Sequence, residues 1–311
     1  MNGLELSRRF YEAVGKPMLE EQFPQVLPYI AVGLVGSGSE CYGYDDDISR
    51  DHDFAPSFCI FLPDETIVDR KTAFELERAY AKLPHDFAGI TGDTAGAVGG
   101  HRRGVLRMDE FFVSKTGRHD GLLSTAEWLT VPEYALFEAV NGSVFEDAYG
   151  RFTEIRERLR YFPEDVRLKK LAGHVLLMGQ AGQYNYHRCL SRGDTAAAQL
   201  ALHEFVGSAL NVVFLLNKQY MPYYKWRFRA LRDLSAFSEA IPTLLERLLT
   251  EAMTPQHKGE LIETICANVA SFLRRESLTT DASAEMERHA YVVNGLIKEH
   301  NLRNSHILSG V

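Results

Sequence analysis

Two short apolar runs, Tyr29–Val35 and Phe58–Leu62, bracket a polar stretch that starts Gly36-Ser37-Gly38-Ser39 and closes on Asp51-His52-Asp53. Runs of that length, ended by glycine or by Pro63, have the profile of buried strands. The stretch between them is too long and too polar for a plain hairpin. It carries Asp45, Asp46, Asp47, Asp51 and Asp53. A chain built this way has to set a glycine–serine turn and paired carboxylates beside one small sheet.

On a strand, positions 51 and 53 face the same way, because side chains alternate with period two. Two carboxylates held that close repel each other unless a cation neutralises them. Mg²⁺ suits the pair, since it is held by one or two carboxylates together with substrate phosphates. Gly36, Ser37, Gly38 and Ser39 offer hydroxyls and backbone amides to the outer phosphates of a nucleotide. An Asp-x-Asp pair alone is commonplace in turns; the flanking strands and the turn make this one specific. Asp45 to Asp47 read as a solvated turn. His52 faces away from its neighbours and reads as packing or as support behind the carboxylates.

Residues 3–16 and Met18 to Phe23 read as helices ahead of the first strand, and Thr66–Leu83 as a helix after the second. The glycine-rich segment 84–104 fits no phosphate-loop pattern and reads as irregular. Gly104–Met108 reads as a third strand, followed by helices over Asp109–Val113 and Ser124–Leu129. Past residue 131 the segments show helical periodicity and no strand pattern. The expected fold is α+β, with a mixed β-sheet domain and flanking helices over residues 1–130 and an all-helical bundle over 131–311.

Composition narrows the function classes. A net charge of −8 argues against general nucleic-acid binding. The N-terminal MNGLELSRRF has no signal-peptide core, and no uninterrupted apolar run approaches the length of a membrane span. The four scattered cysteines form no CxxC pair, which points to a reducing, cytoplasmic setting.

The segments GSGSE, GYDD and SRDHDF resemble the family called domain of unknown function 4037, within the DNA polymerase beta-like nucleotidyltransferase superfamily. WLTVPE (128–133), NGSVFED (141–147), YFPEDV (161–166), NYHRCLSRGD and PYYKW extend the likeness, which runs from about Gly3 to Leu231. The resemblance implies a Mg²⁺-dependent transfer of a nucleoside monophosphate from ATP or another NTP to a hydroxyl of a small molecule or protein. Aminoglycoside nucleotidyltransferases share this plan of an α/β domain plus a helical domain, with the site expected in the cleft between them. By carry-over, Ser37 contacts phosphate and Asp51 and Asp53 hold the metal. The superfamily places a further acid on a later strand; here that strand, Val105 to Met108, carries Arg107 and no acid. Asp109 and Glu110 follow at once and are the candidates for that role, although acids at a helix start are also favoured by its dipole.

Arg188 and Lys225 are candidate triphosphate ligands from the helical half, with Tyr224 or Trp226 as stacking groups. Glu204 reads as an exposed helical glutamate or a base supplied by that half. His174, among Leu171, Val175, Leu176 and Leu177, reads as a satisfied core histidine. Cys41 has no neighbouring base in sequence that would make it a nucleophile. Two other readings stand beside the transferase: a non-catalytic nucleotide- or ligand-binding protein that kept the fold, and an antitoxin-like partner acting through the helical half. The acceptor, the preferred base and the oligomeric state have no sequence signal.

Overall fold

The computed structural model describes residues 1–47, 56–91, 103–234 and 240–311; Asp51, His52 and Asp53 lie outside them. The chain begins with α1 (Gly3–Phe10), whose N-cap Asn2 accepts the Glu5 N–H at 2.8 Å. A π-helical turn, Tyr11–Gly15, leads into α2 (Lys16–Gln22). Then come β1 (Ala31–Leu34), α3 (Ser39–Tyr42), β2 (Cys59–Leu62) and α4 (Arg70–Tyr80). Two-residue strands β3 (Asp86–Phe87) and β4 (Ile90–Thr91) pair as a hairpin, ahead of β5 (Gly104–Arg107) and α5 (Met108–Thr116). Next are α6 (Thr125–Thr130), α7 (Glu133–Val140), β6 (Ser143–Asp147) and α8 (Arg151–Arg158).

The main sheet runs β5-β2-β1-β6, with β2 and β5 parallel and the other neighbours antiparallel. Both of its faces are covered, so β1 and β2 are apolar throughout instead of alternating. Val32 and Ile60 face a core of Phe10, Leu19, Phe58 and Leu76. On β2 the next side chain, Phe61, stacks on Phe152 at 4.2 Å and meets Phe111 edge-on at 5.2 Å.

The strand β6 corrects the expectation of helices only past residue 131. It lies at the sheet edge beside β1, and its residues are half-buried, so it lacks the strongly apolar stripe that marks β1 and β2. Its acids are consumed locally. Glu146 accepts from Tyr11 and, at 2.7 Å, from Lys16; Asp147 accepts the Gly150 and Thr153 N–H groups at the start of α8. Because β6 belongs to the sheet, one compact unit comprises 1–124 with 134–160, and the other 125–133 with 161–311.

Among its described residues the second unit has helices and no strand. Helix α9 (Glu164–Met178) passes through a π-helical stretch, Gly179–Tyr186, into α10 (His187–Ser191). It packs with α11 (Thr195–Leu216), and α12 (Arg227–Arg232), α13 (Ala240–Thr250), α14 (Pro255–Arg275), α15 (Met286–Gly295) and α16 (His300–Asn304) complete the unit. By length and composition alone α11 would pass as a membrane span, but more than half of its most apolar window is buried, as in a core helix. Lys169 and Lys170 point inward and are satisfied by oxygens: Lys169 donates to Asn294 Oδ1 and the Ser305 carbonyl, Lys170 to the Leu129 and Gly310 carbonyls.

His174 does lie inward on α9, but it is not satisfied: its Nδ1 is buried without a hydrogen-bond partner among the described residues. Burial, reinforced by the Lys170 charge, pushes its pKa from 6.5 down to about 3. The unfolded chain therefore takes up a proton below pH 6.5 that the fold refuses until far lower. Stability is expected to fall as pH drops from 6.5 toward 3, by up to roughly 1.4 kcal/mol per pH unit from this residue. Urea melts of the wild type and His174→Leu across that range should show a shallower slope in the variant.

Candidate active site

The glycine–serine turn leaves the end of β1 and enters α3. Asn141, from the segment between α7 and β6, clamps its start with both amide groups. Gly36 N–H donates to Asn141 Oδ1 at 2.8 Å, and Asn141 Nδ2 donates back to the Gly36 carbonyl at 2.8 Å. Gly38 has φ +127° and ψ 141°, a region that side chains rarely adopt, which explains the glycine here. Among the described residues, the Ser37 and Gly38 N–H groups donate to no acceptor.

Two half-buried ion pairs flank the turn. On one side the Ser37 hydroxyl donates to Glu138 Oε2 at 2.7 Å, and Lys115 Nζ reaches both Ser37 Oγ (3.2 Å) and Glu138 Oε2 (2.5 Å). Tyr42 donates to the other carboxylate oxygen at 2.8 Å. The Lys115 and Glu138 side chains are 17% and 10% exposed. Burial opposes the charge on Glu138, but the Lys115 ammonium and the two hydroxyl donors outweigh it and hold the carboxyl below its usual range. So placed, Glu138 is an anchor for Lys115 and a poor general base.

On the other side Arg103 pairs with Glu40, their side chains 18% and 13% exposed. The Glu40 carboxylate bends back over Gly38: a Cβ on that glycine would lie 2.8–2.9 Å from its oxygens. Arg103 also lies 3.9 Å from the Cys41 sulfur, and burial lowers the pKa of its guanidinium to about 10. A third cation, Arg156 of α8, acts electrostatically on the same thiol. Its Nη2 donates to the Val140 carbonyl at 2.7 Å, and its Nη1 is buried without a partner among the described residues. Burial pushes the Cys41 thiol well up from its ordinary value, against its use as a nucleophile.

Asp51 and Asp53 lie outside the described residues, and among the described residues no group of three or more metal-ligating side chains exists. Asp109 and Glu110 occupy the first turn of α5, directly after β5. Arg107, at the end of β5, donates through Nη1 to the Pro63 and Val68 carbonyls at 2.7 and 2.8 Å. Asp45, read as solvated, is half-buried and accepts the Gly3 N–H at 2.7 Å.

In the helical unit, Arg188 is exposed and lies over the Tyr184 ring at 5.2 Å, also bonding its hydroxyl. Lys225 is exposed with its ammonium 5.1 Å from the Trp226 ring centre. Glu204 is exposed on α11.

The sequence reading missed Lys115, Glu138, Asn141 and Arg103. Glu138 had a signal: it stands alone as a charge in the apolar segment Tyr134–Val140. Asn141 heads the NGSVFED segment quoted above. Lys115 had none, since a lysine in a helix's last turn is ordinary.

No curated protein matches the chain. Among solved structures, a nucleotidyltransferase-like protein from Exiguobacterium sibiricum 255-15 matches with 11% identity and a TM-score of 0.37. The match covers 93% of this chain and 79% of that one. Likeness of that degree transfers neither fold nor chemistry. The segments WLTVPE, NGSVFED and YFPEDV all fall within residues 128–227, the stretch over which the chain matches the family described as domain of unknown function (DUF4037).

Proposed function

We propose that this chain binds a nucleoside triphosphate with Mg²⁺ and transfers its nucleoside monophosphate to a hydroxyl of a small molecule or protein. The observation that carries the reading is Lys115. A half-buried ammonium lies on the Ser37 hydroxyl of a glycine–serine turn that follows a strand, which is a setting for phosphate. Asp51 and Asp53 are assigned to hold the metal, which would supply positive charge against the phosphates. Arg188 and Lys225 belong to the same proposal as nucleotide-binding cations of the helical unit. The free state of all four cysteines suits the cytoplasmic setting that such a reaction implies.

A second reading, a nucleotide-binding protein without turnover, is favoured by Arg107. It fills the end of the strand on which an acid was expected and spends its guanidinium on loop carbonyls. Asp109 and Glu110 remain the candidates for the missing acid.

Calorimetry with ATP, GTP, CTP and UTP, with and without Mg²⁺, tests both. Mg²⁺-dependent binding of at least one nucleotide is expected, and it should disappear in Asp51→Asn/Asp53→Asn. Binding that survives in that double variant sinks the site assignment. Release of pyrophosphate in the presence of an acceptor hydroxyl separates the transferase from the binding protein.

A further inference from the structure

We propose that Glu40 is an internal stand-in for phosphate: in the ligand-free chain its carboxylate lies over Gly38 of the Gly36–Ser39 turn and holds Arg103, and an incoming phosphate displaces it and takes over Arg103. The inference rests on the nucleotide reading above and deepens it, assigning Arg103 and Lys115 as the side chains that hold the phosphates.

Three observations carry it. The first is position. The Glu40 carboxylate lies against Gly38, the glycine whose backbone no other residue readily adopts, with one oxygen 3.4 Å from Ser39 Oγ. It thus lies over the turn while the Ser37 and Gly38 N–H groups are left to a phosphate. The second is charge. Among the described residues around the turn, Arg103 pairs with Glu40 and Lys115 with Glu138, and Arg156, which feels Glu157, adds a third cation near the Cys41 thiol. A buried guanidinium needs an anion beside it, and Glu40 supplies one until a ligand does. Third, the two acids are held unequally. Among the described residues, Glu138 is fixed by Ser37, Tyr42 and Lys115 together, whereas Glu40 has Arg103 and the long Ser39 contact. Glu40 is therefore the carboxylate that can leave. Displacement costs affinity, because the competent form is only part of the population, and removing the competitor recovers it.

The test measures binding of tripolyphosphate and of Mg²⁺-ATP to the full chain by calorimetry. Glu40→Gln is expected to bind both about tenfold more tightly than wild type. Glu40→Asp, which keeps the charge but shortens its reach, should give a smaller gain of the same sign. Adding Arg103→Gln to Glu40→Gln should abolish the gain. If Glu40→Gln is too unstable for calorimetry, the readout becomes the ligand-induced rise in melting temperature, expected to exceed that of the wild type. Unchanged or weaker binding in both Glu40 variants overturns the inference. If wild-type binding still depends on Asp51 and Asp53 in that case, the nucleotide reading survives. If wild type and variants bind neither probe, both fall together.

Discussion

Glu138→Ala is expected to destabilise the protein by about 2–4 kcal/mol, because it leaves the half-buried Lys115 ammonium without its anion. The loss is larger than for a surface pair, where the median is roughly 0–1 kcal/mol. Ser37 and Tyr42 would lose their acceptor at the same time. Lys115→Met in the same chain removes the stranded charge, so the double variant should recover a large part of the loss. Urea denaturation at pH 7 of the two single variants and the double variant supplies the cycle. Additive effects would mean the pair is not coupled. The ion pair also has a sign in pH. The folded carboxyl sits below its ordinary value of 4.5, so its stabilisation is complete above that value and drains away as pH falls below it. Glu138→Gln should flatten that part of the acid limb.

Gly142→Ala should cost on the order of 3 kcal/mol or more, combining left-handed backbone strain with a clash. Gly142 has φ +65°, and a Cβ there would lie 2.1 Å from the Leu34 carbonyl oxygen and 2.9 Å from Val35 Cα. Neither obstacle can swing aside, since both are backbone. The substitution would push β6 from the end of β1 and disturb the Gly142 N–H bond to the Cys41 carbonyl (3.1 Å). Asn141, next in the chain, would then lose its grip on Gly36. A drop in melting temperature accompanied by weaker nucleotide binding is the expected pair of results. A variant as stable as wild type would refute the geometry.

The contrast between these two residues shows what the sequence reveals. The strands β1, β2 and β5 were legible because each is a compact apolar run or follows a glycine break, and double-sided burial makes such runs conspicuous. The helical character of the second unit was legible from periodicity. Strand β6 was not, since an edge strand that is half-buried with two acids at its end resembles a loop. The π-helical stretches at Tyr11–Gly15 and Gly179–Tyr186 leave no pattern that differs from an α-helix at the level of residue type. The turn was legible as a motif, but the residues that charge it were not. Ser37 pairs with a carboxylate 101 positions away, and Arg103 with one 63 positions back. Spacing rules act over one or two helical turns and say nothing about such pairs.

Those separations also order events in time. During synthesis, β1 and the turn precede Glu138 and Asn141 by about a hundred residues. For that whole interval the nascent β1 has an open edge on the side that β6 will fill, and the turn lacks its amide clamp. Non-local closures of this kind are slow and leave strand edges exposed while they wait. The apolar β1 edge is therefore the segment on which a chaperone, or a second nascent copy, would compete with correct assembly. A fragment cut at residue 130 would keep that edge open permanently.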